Sequence, residues 1–100
     1  MLFECMRIDE VNHYIGRKDA IIVDLRKRED YDKGHIPSAV SMPYTSSEEL
    51  ADKVRYYKVI LLYCYRGNMS MLAARDLHGI QGKVYHICGG IHAYPYRLER

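Results

Sequence analysis

One residue of this chain combines reactive chemistry with a telling position. Cys64 closes the apolar run Val59-Ile60-Leu61-Leu62-Tyr63 and is followed by Tyr65-Arg66-Gly67-Asn68-Met69-Ser70, after which Met71 to Leu77 has helical patterning. A thiol between a buried strand and a helix N-terminus meets converging backbone N–H groups and the positive end of the helix dipole. Such surroundings favour the thiolate, which is the nucleophilic form of cysteine. Gly67 permits a turn that other residues resist. The amides of residues 65 to 70 can then curl around the sulfur as an anion-binding nest. Arg66 adds a fixed positive charge suited to a small oxyanion. The candidate site is therefore Cys64 as nucleophile, with Tyr65, Arg66, Gly67, Asn68, Met69 and Ser70 as its substrate-binding loop. On this local pattern alone an inert, buried cysteine capping a strand is the alternative.

The remaining candidates for chemistry are scattered. Cys5, Cys64 and Cys88 are an odd number of cysteines at unrelated spacings, which argues against a disulfide framework and against a zinc site. His13, His35, His78, His86 and His92 form no ligand pair at metal spacing and read as surface or core residues. The net charge of +2, without a dense basic cluster, does not point to nucleic acid. Lys27-Arg28 is followed directly by Glu29-Asp30 and reads as a solvated mixed face. The first residues carry an early acid and no sustained apolar stretch, so no secretion signal is expected. No run reaches membrane-spanning length. The expected setting is a reducing cytoplasm, where a free thiol persists.

Short apolar runs alternate with helix-like segments across the 100 residues. That alternation predicts a single α/β domain around a mainly parallel sheet. Strands are expected near Phe3–Met6, at Ile21-Ile22-Val23 ending in Asp24, at Val40–Met42, at Val59–Tyr63 and at Val84–Ile87. A short helix is expected after Asp9, stopping at Gly16. Another short helix or turn spans residues 26–33 before Gly34. A third, capped by Ser46 or Ser47, runs to Val54. The last runs from Ser70 to Leu77. Gly89-Gly90 reads as a tight turn, and Ile91–Leu98 is ambiguous because Pro95 would kink a helix. Asp24, Cys64 and Cys88 all fall at carboxyl ends of strands, where sites gather in open α/β sheets.

The loop Cys64-Tyr65-Arg66-Gly67-Asn68-Met69-Ser70 resembles the active-site loop of single-domain rhodaneses, which are thiosulfate or persulfide sulfurtransferases. Val23-Asp24-Leu25-Arg26, followed by Glu29, Tyr31, Gly34-His35-Ile36-Pro37 and Ala39, resembles that family's other signature. Pro43 and Cys88-Gly89-Gly90 fit in the same order, with Tyr94 where a tryptophan is common. The resemblance implies a central, mainly parallel five-stranded sheet with helices on both faces. It also implies a two-step exchange: Cys64 takes the outer sulfur of thiosulfate or a persulfide, then yields it to a thiol, to cyanide or to a sulfur-accepting protein. No metal or cofactor is implied, because sulfur is both nucleophile and leaving group at neutral pH.

Met69 stands where many family loops carry arginine, which shifts the expected donor from thiosulfate toward a less oxyanionic persulfide. The fold also resembles certain cell-cycle phosphatases and arsenate-handling enzymes. Those of the Cys-x5-Arg type need arginine at the position that Ser70 occupies here. A rhodanese-like module kept for protein binding or regulation, without turnover, is the competing reading. His35 is expected to be structural. Asp24 and Arg26 are expected to brace the turn together with Glu29. If the last strand lies beside the Cys64 strand, a Cys64–Cys88 disulfide or sulfur relay is conceivable, with a buried bystander Cys88 as the alternative.

Overall fold

The computed structural model describes residues 3–100. Its centre is the pair of apolar, β-branched runs, which pair in parallel as β2 (Ala20–Asp24) and β4 (Val59–Tyr63) with Ile21 opposite Ile60 and Val23 opposite Leu62. Continuous apolar runs belong to parallel strands covered on both faces, and both runs are covered that way. β5 (Lys83–Ile87) lies on the far side of β4, and β1 (Glu4–Met6) forms the edge beyond it. β3 (Val40–Ser41) is the opposite edge, giving a five-stranded sheet of order β1-β5-β4-β2-β3. Every pairing among these strands is parallel, as expected.

Alternate residues feed two cores. Ile21, Val23, Ile60, Leu62 and Val84 pack with Leu50, Ala51 and Val54 of α2 (Ser47–Val54) and with Ala73 and Ala74 of α3 (Asn68–Asp76). Ile22, Leu61, Tyr63 and Ile87 face the other way, onto Val11, Ile36, Ala39 and Ile91. Two 3₁₀ helices, Ile8–Tyr14 and Gly90–Ala93, cover that second face. Helices on both sides of the sheet are thus observed, and the ambiguous last segment begins as one of them. It ends where Glu99 exchanges backbone hydrogen bonds with His35 at 2.9 and 2.8 Å.

Three helix starts depart from expectation, each for a local reason. The first helix is 3₁₀, with Arg7 at its cap and Asp9 inside its first turn. α1 (Arg28–Lys33) begins after Arg26, whose amide and guanidinium are both tied to Asp24. α3 begins at Asn68 rather than Ser70, because Gly67 at φ +100° completes the turn out of β4 and acts as the cap. Of the two candidate serines, Ser46 caps α2, accepting from the Glu49 amide at 3.2 Å.

The cysteine reading needs the largest correction. Cys5 and Cys88 form a disulfide with Cα atoms 5.8 Å apart, and Cys64 is the free thiol. The physical reason is the pairing of β1 with β5, which puts Cys5 opposite His86 and brings together residues 83 positions apart. Spacing along the chain carries no trace of that pairing. Among the described residues no helix is long and apolar enough to cross a membrane.

Candidate active site

The strand ends assemble the site. Asp24 closes β2, Cys64 follows β4 and Cys88 follows β5, all at the carboxyl edge of the sheet. Cys64 Sγ accepts hydrogen bonds from the Gly67 amide at 3.2 Å and the Ser70 amide at 3.4 Å. Of the loop amides expected around the sulfur, these two supply the contacts. The Ser70 hydroxyl, fully buried, donates to the Gly67 carbonyl at 3.1 Å, and its Oγ lies 3.8 Å from Sγ. A protonated thiol can donate to that oxygen. Two N–H dipoles at the start of α3, with the helix behind them, form a donor set suited to a sulfur anion.

Two glycines make the cradle possible. Gly67 holds φ +100°, and a Cβ there would sit 3.3 Å from the Gly89 amide nitrogen. Gly90, at φ +61°, lies so close beneath the loop that a Cβ would come within 2.5 Å of both the Cys64 and Tyr65 carbonyl oxygens. Those same carbonyls accept from the Ile91 amide at 2.9 Å and the His92 amide at 3.1 Å. The Gly89-Gly90 turn therefore acts as a fixed floor for the Cys64 loop.

Cys64 is 4% exposed, and that sliver opens into a cavity of about 490 Å³. Arg26, Lys27 and Arg66 line it as cations and Asp30 as the one carboxylate, with Asn68 at its wall. Tyr65, 52% exposed, and Met69, 40% exposed, make the apolar side of the mouth. The Arg26 guanidinium carbon lies 5.4 Å from the Tyr65 ring centroid, at cation–π distance. A larger depression of about 1060 Å³, bordered by Lys33, Pro37 and residues 97–100, contains no nucleophile.

Behind the cavity stands a buried polar network that the sequence reading only half identified. Arg26 Nη2 donates to Asp24 Oδ2 at 2.7 Å and to the Gly34 carbonyl at 2.8 Å, while Nε donates to Asp24 Oδ1 at 3.0 Å. The Arg26 amide completes the grip on Oδ1 at 2.9 Å. The expected third partner, Glu29, is not part of it. It lies in the exposed first turn of α1, whereas β2–β4 register puts Tyr63 beside Asp24. The Tyr63 hydroxyl donates to Asp24 Oδ2 at 2.7 Å and accepts from the Ile36 amide at 3.2 Å. Burial, reinforced by the neighbouring Asp24 charge, raises the Tyr63 phenol above its ordinary range, so the proton stays on the donor. Arg26 is likewise held charged: burial opposes its charge, but the hydrogen bonds to Asp24 and the attraction of the Asp24 carboxylate together outweigh that.

Elsewhere the candidates sort as follows. His35 is structural as expected, its ring stacked on Tyr31 at 3.8 Å and its Nδ1 3.0 Å from the Tyr31 carbonyl. His86 is buried against the Phe3 ring edge rather than lying apart from other ligand-type groups. A ring nitrogen of His86 and the sulfurs of Cys5 and Cys88 all lie within 4.8 Å of one another. The sequence reading missed this grouping, as it missed Tyr63, Lys27 and Asp30. The only signal for Tyr63 is its place at a strand end, which gains meaning once β2 and β4 are paired.

A family model described as rhodanese-like domain matches residues 7–95. The chain is 34% identical over 82 residues to a tRNA sulfurtransferase of Desulfurococcus amylolyticus, a match covering 82% of this chain but 16% of that relative. It is 27% identical to the thiosulfate sulfurtransferase GlpE of Coxiella burnetii, over 94% of this chain and 89% of that protein. Among solved structures, a rhodanese-like domain protein from Staphylococcus aureus superposes with a TM-score of 0.74 at 25% identity, covering 97% of each chain.

Proposed function

Because the chain belongs to the rhodanese-like domain family, we propose that it is a sulfurtransferase whose Cys64 carries the transferred sulfur as a persulfide. The observation that supports this is the pair of amides, from Gly67 at the α3 cap and Ser70 in its first turn, directed at a free sulfur that faces a cation-lined cavity. In the first step the Cys64 thiolate attacks the outer sulfur of the donor. The donor's S–S bond breaks, and its inner fragment leaves as sulfite or as a thiolate. In the second step an acceptor thiolate or cyanide attacks the terminal sulfur, and Cys64 departs with the bonding pair. Gly67 and Ser70 stabilise the sulfur anion through charge-assisted hydrogen bonds. Arg66, Lys27 and Arg26 attract an anionic donor into the cavity. Tyr65 and Met69 present apolar surface at the mouth, which favours a persulfide donor over thiosulfate. The single rhodanese-like domain is the unit that performs the reaction.

The phosphatase alternative lacks its essential cation, since the sixth residue after Cys64 is the buried Ser70. A binding-only module would have no use for two amides directed at a sulfur. The test is mass spectrometry after exposure to thiosulfate or to a small persulfide, with the product mapped to the Cys64 peptide. Wild-type protein gains one sulfur on Cys64, whereas Cys64→Ser gains none at that peptide and turns over neither donor. Equal turnover by both proteins, or no loading by either donor, overturns the proposal.

A further inference from the structure

A second group of soft ligands sits where the edge strand β1 meets β5. Parallel pairing places Cys5 opposite His86, and strand alternation returns Cys88 to the same face. The result is two sulfurs and an imidazole nitrogen mutually within 4.8 Å. Two thiolates and one imidazole around a tetrahedral Zn²⁺, with bonds of about 2.3 Å and 2.0–2.1 Å, need donor separations below about 4 Å. On reduction the two sulfurs, no longer bonded, can separate to that spacing.

The imidazole supplies a second, independent observation. His86 is 9% exposed, and its Nδ1 is buried without a hydrogen-bond partner among the described residues. A buried polar nitrogen left unpaired is destabilising. A disulfide requires no imidazole beside it and, being a weak acceptor, does little for one. A shared ligand would use all three groups at once. Cys5 is exposed and Cys88 is partly exposed, so an ion or a reductant can reach the sulfurs from solvent.

We propose that Cys5, His86 and Cys88 form a binding site for a thiophilic divalent cation when their disulfide is reduced, with a solvent molecule as the fourth ligand. The chemistry balances simply. A dithiol reductant supplies two electrons and two protons, breaking the Cys5–Cys88 bond to give two thiols and becoming a disulfide itself. A Zn²⁺ ion then displaces the two thiol protons, so the assembled site of two thiolates, one neutral imidazole and one dication carries no net charge. Reoxidation by a small disulfide returns the two electrons to that oxidant and releases the metal. Metal and disulfide are thus alternative occupants of one position, and Cys64 takes no part in either.

The experiment uses Cys64→Ser protein, so that only Cys5 and Cys88 respond, in reduced and oxidised forms. Co²⁺ serves as the spectroscopic probe, and Zn²⁺ is titrated against a chromophoric chelator. The expected result is one ion per reduced chain, with thiolate-to-cobalt charge transfer and tetrahedral visible bands, and none per oxidised chain. Zn²⁺ should protect both thiols from alkylation. Cys5→Ser, a change at an exposed edge, and His86→Gln should each weaken binding at least tenfold while circular dichroism shows a folded chain. Sub-stoichiometric uptake by the reduced protein, equal uptake by the oxidised protein, or unchanged affinity in both variants overturns the proposal.

Discussion

Replacing Tyr63 by phenylalanine removes one oxygen and leaves the ring where it packs, so its effect isolates the polar network behind the site. Tyr63 is fully buried among apolar neighbours that the substitution does not disturb. The lost oxygen donates to Asp24 Oδ2 at 2.7 Å and accepts from the Ile36 amide at 3.2 Å. A hydrogen bond to a charged group contributes about 1.5–3 kcal/mol, and a buried amide left unpaired costs about 1–3 kcal/mol. The two losses share one oxygen and some relaxation, so roughly 2–5 kcal/mol is expected rather than the full sum. For a domain of this length each kcal/mol lowers Tm by about 4–8 °C, so the fall should be at least about 8 °C. Urea unfolding followed by fluorescence and circular dichroism measures it. The midpoint should drop while the slope stays constant, because the surface exposed on unfolding is unchanged. Below the new Tm, sulfur loading of Cys64 should persist, since Arg26 keeps both Asp24 oxygens and the Gly34 carbonyl. A loss under about 1 kcal/mol would refute the reasoning, by showing that Arg26 alone satisfies the buried carboxylate.

Two further substitutions test the site itself. Gly90→Ala drives a Cβ to within 2.5 Å of the Cys64 and Tyr65 carbonyl oxygens at a φ of +61°. Both neighbours are backbone, so the loop must move: stability should fall by at least about 1–2 kcal/mol from the dihedral alone, and persulfide formation measured by mass spectrometry should collapse with it. Met69→Arg adds a cation at the exposed mouth of the cavity. The ratio of kcat/KM for thiosulfate to that for a neutral-tailed persulfide should rise roughly tenfold, as expected for one added charge-assisted contact of about 1.4 kcal/mol; an unchanged ratio removes Met69 from donor selection.

Local physics was visible in the chain and pairing was not. The runs Ile21–Val23 and Val59–Leu62 could be read as central strands because residues so uniformly apolar and branched suit only a doubly covered parallel sheet. Ser46 was readable as a cap because its hydroxyl satisfies an amide three residues on. The Cys64 loop was readable for the same reason: strand, turn glycine and helix start are contiguous. What failed depended on register between distant strands. Tyr63 becomes a partner of Asp24 only when β2 lies beside β4, and Cys5 meets Cys88 only when β1 lies beside β5. The early onset of α3 was missed because Gly67 was read as a turn residue alone, whereas at φ +100° it is also the helix cap.

The geometry divides the proposed exchange between two sets of charges. Gly67 and Ser70 contact Sγ itself, so their stabilisation is greatest while the negative charge resides on that atom. Loading moves the charge outward by one S–S bond, about 2.05 Å. In the proposed loaded form the outer sulfur extends toward the cavity, which Arg26, Lys27 and Arg66 line as cations. Amides set the nucleophile, and side-chain cations hold the cargo. Arg26 belongs to both halves, because Asp24 and the Gly34 carbonyl fix it from behind while it borders the cavity in front. The Asp24–Arg26–Tyr63 network is therefore the structural link between the buried sheet edge and the stability of the loaded state. A change at Arg26 should slow donor capture and shorten the lifetime of the loaded form, whereas a change at Gly67 should act first on the attacking thiolate.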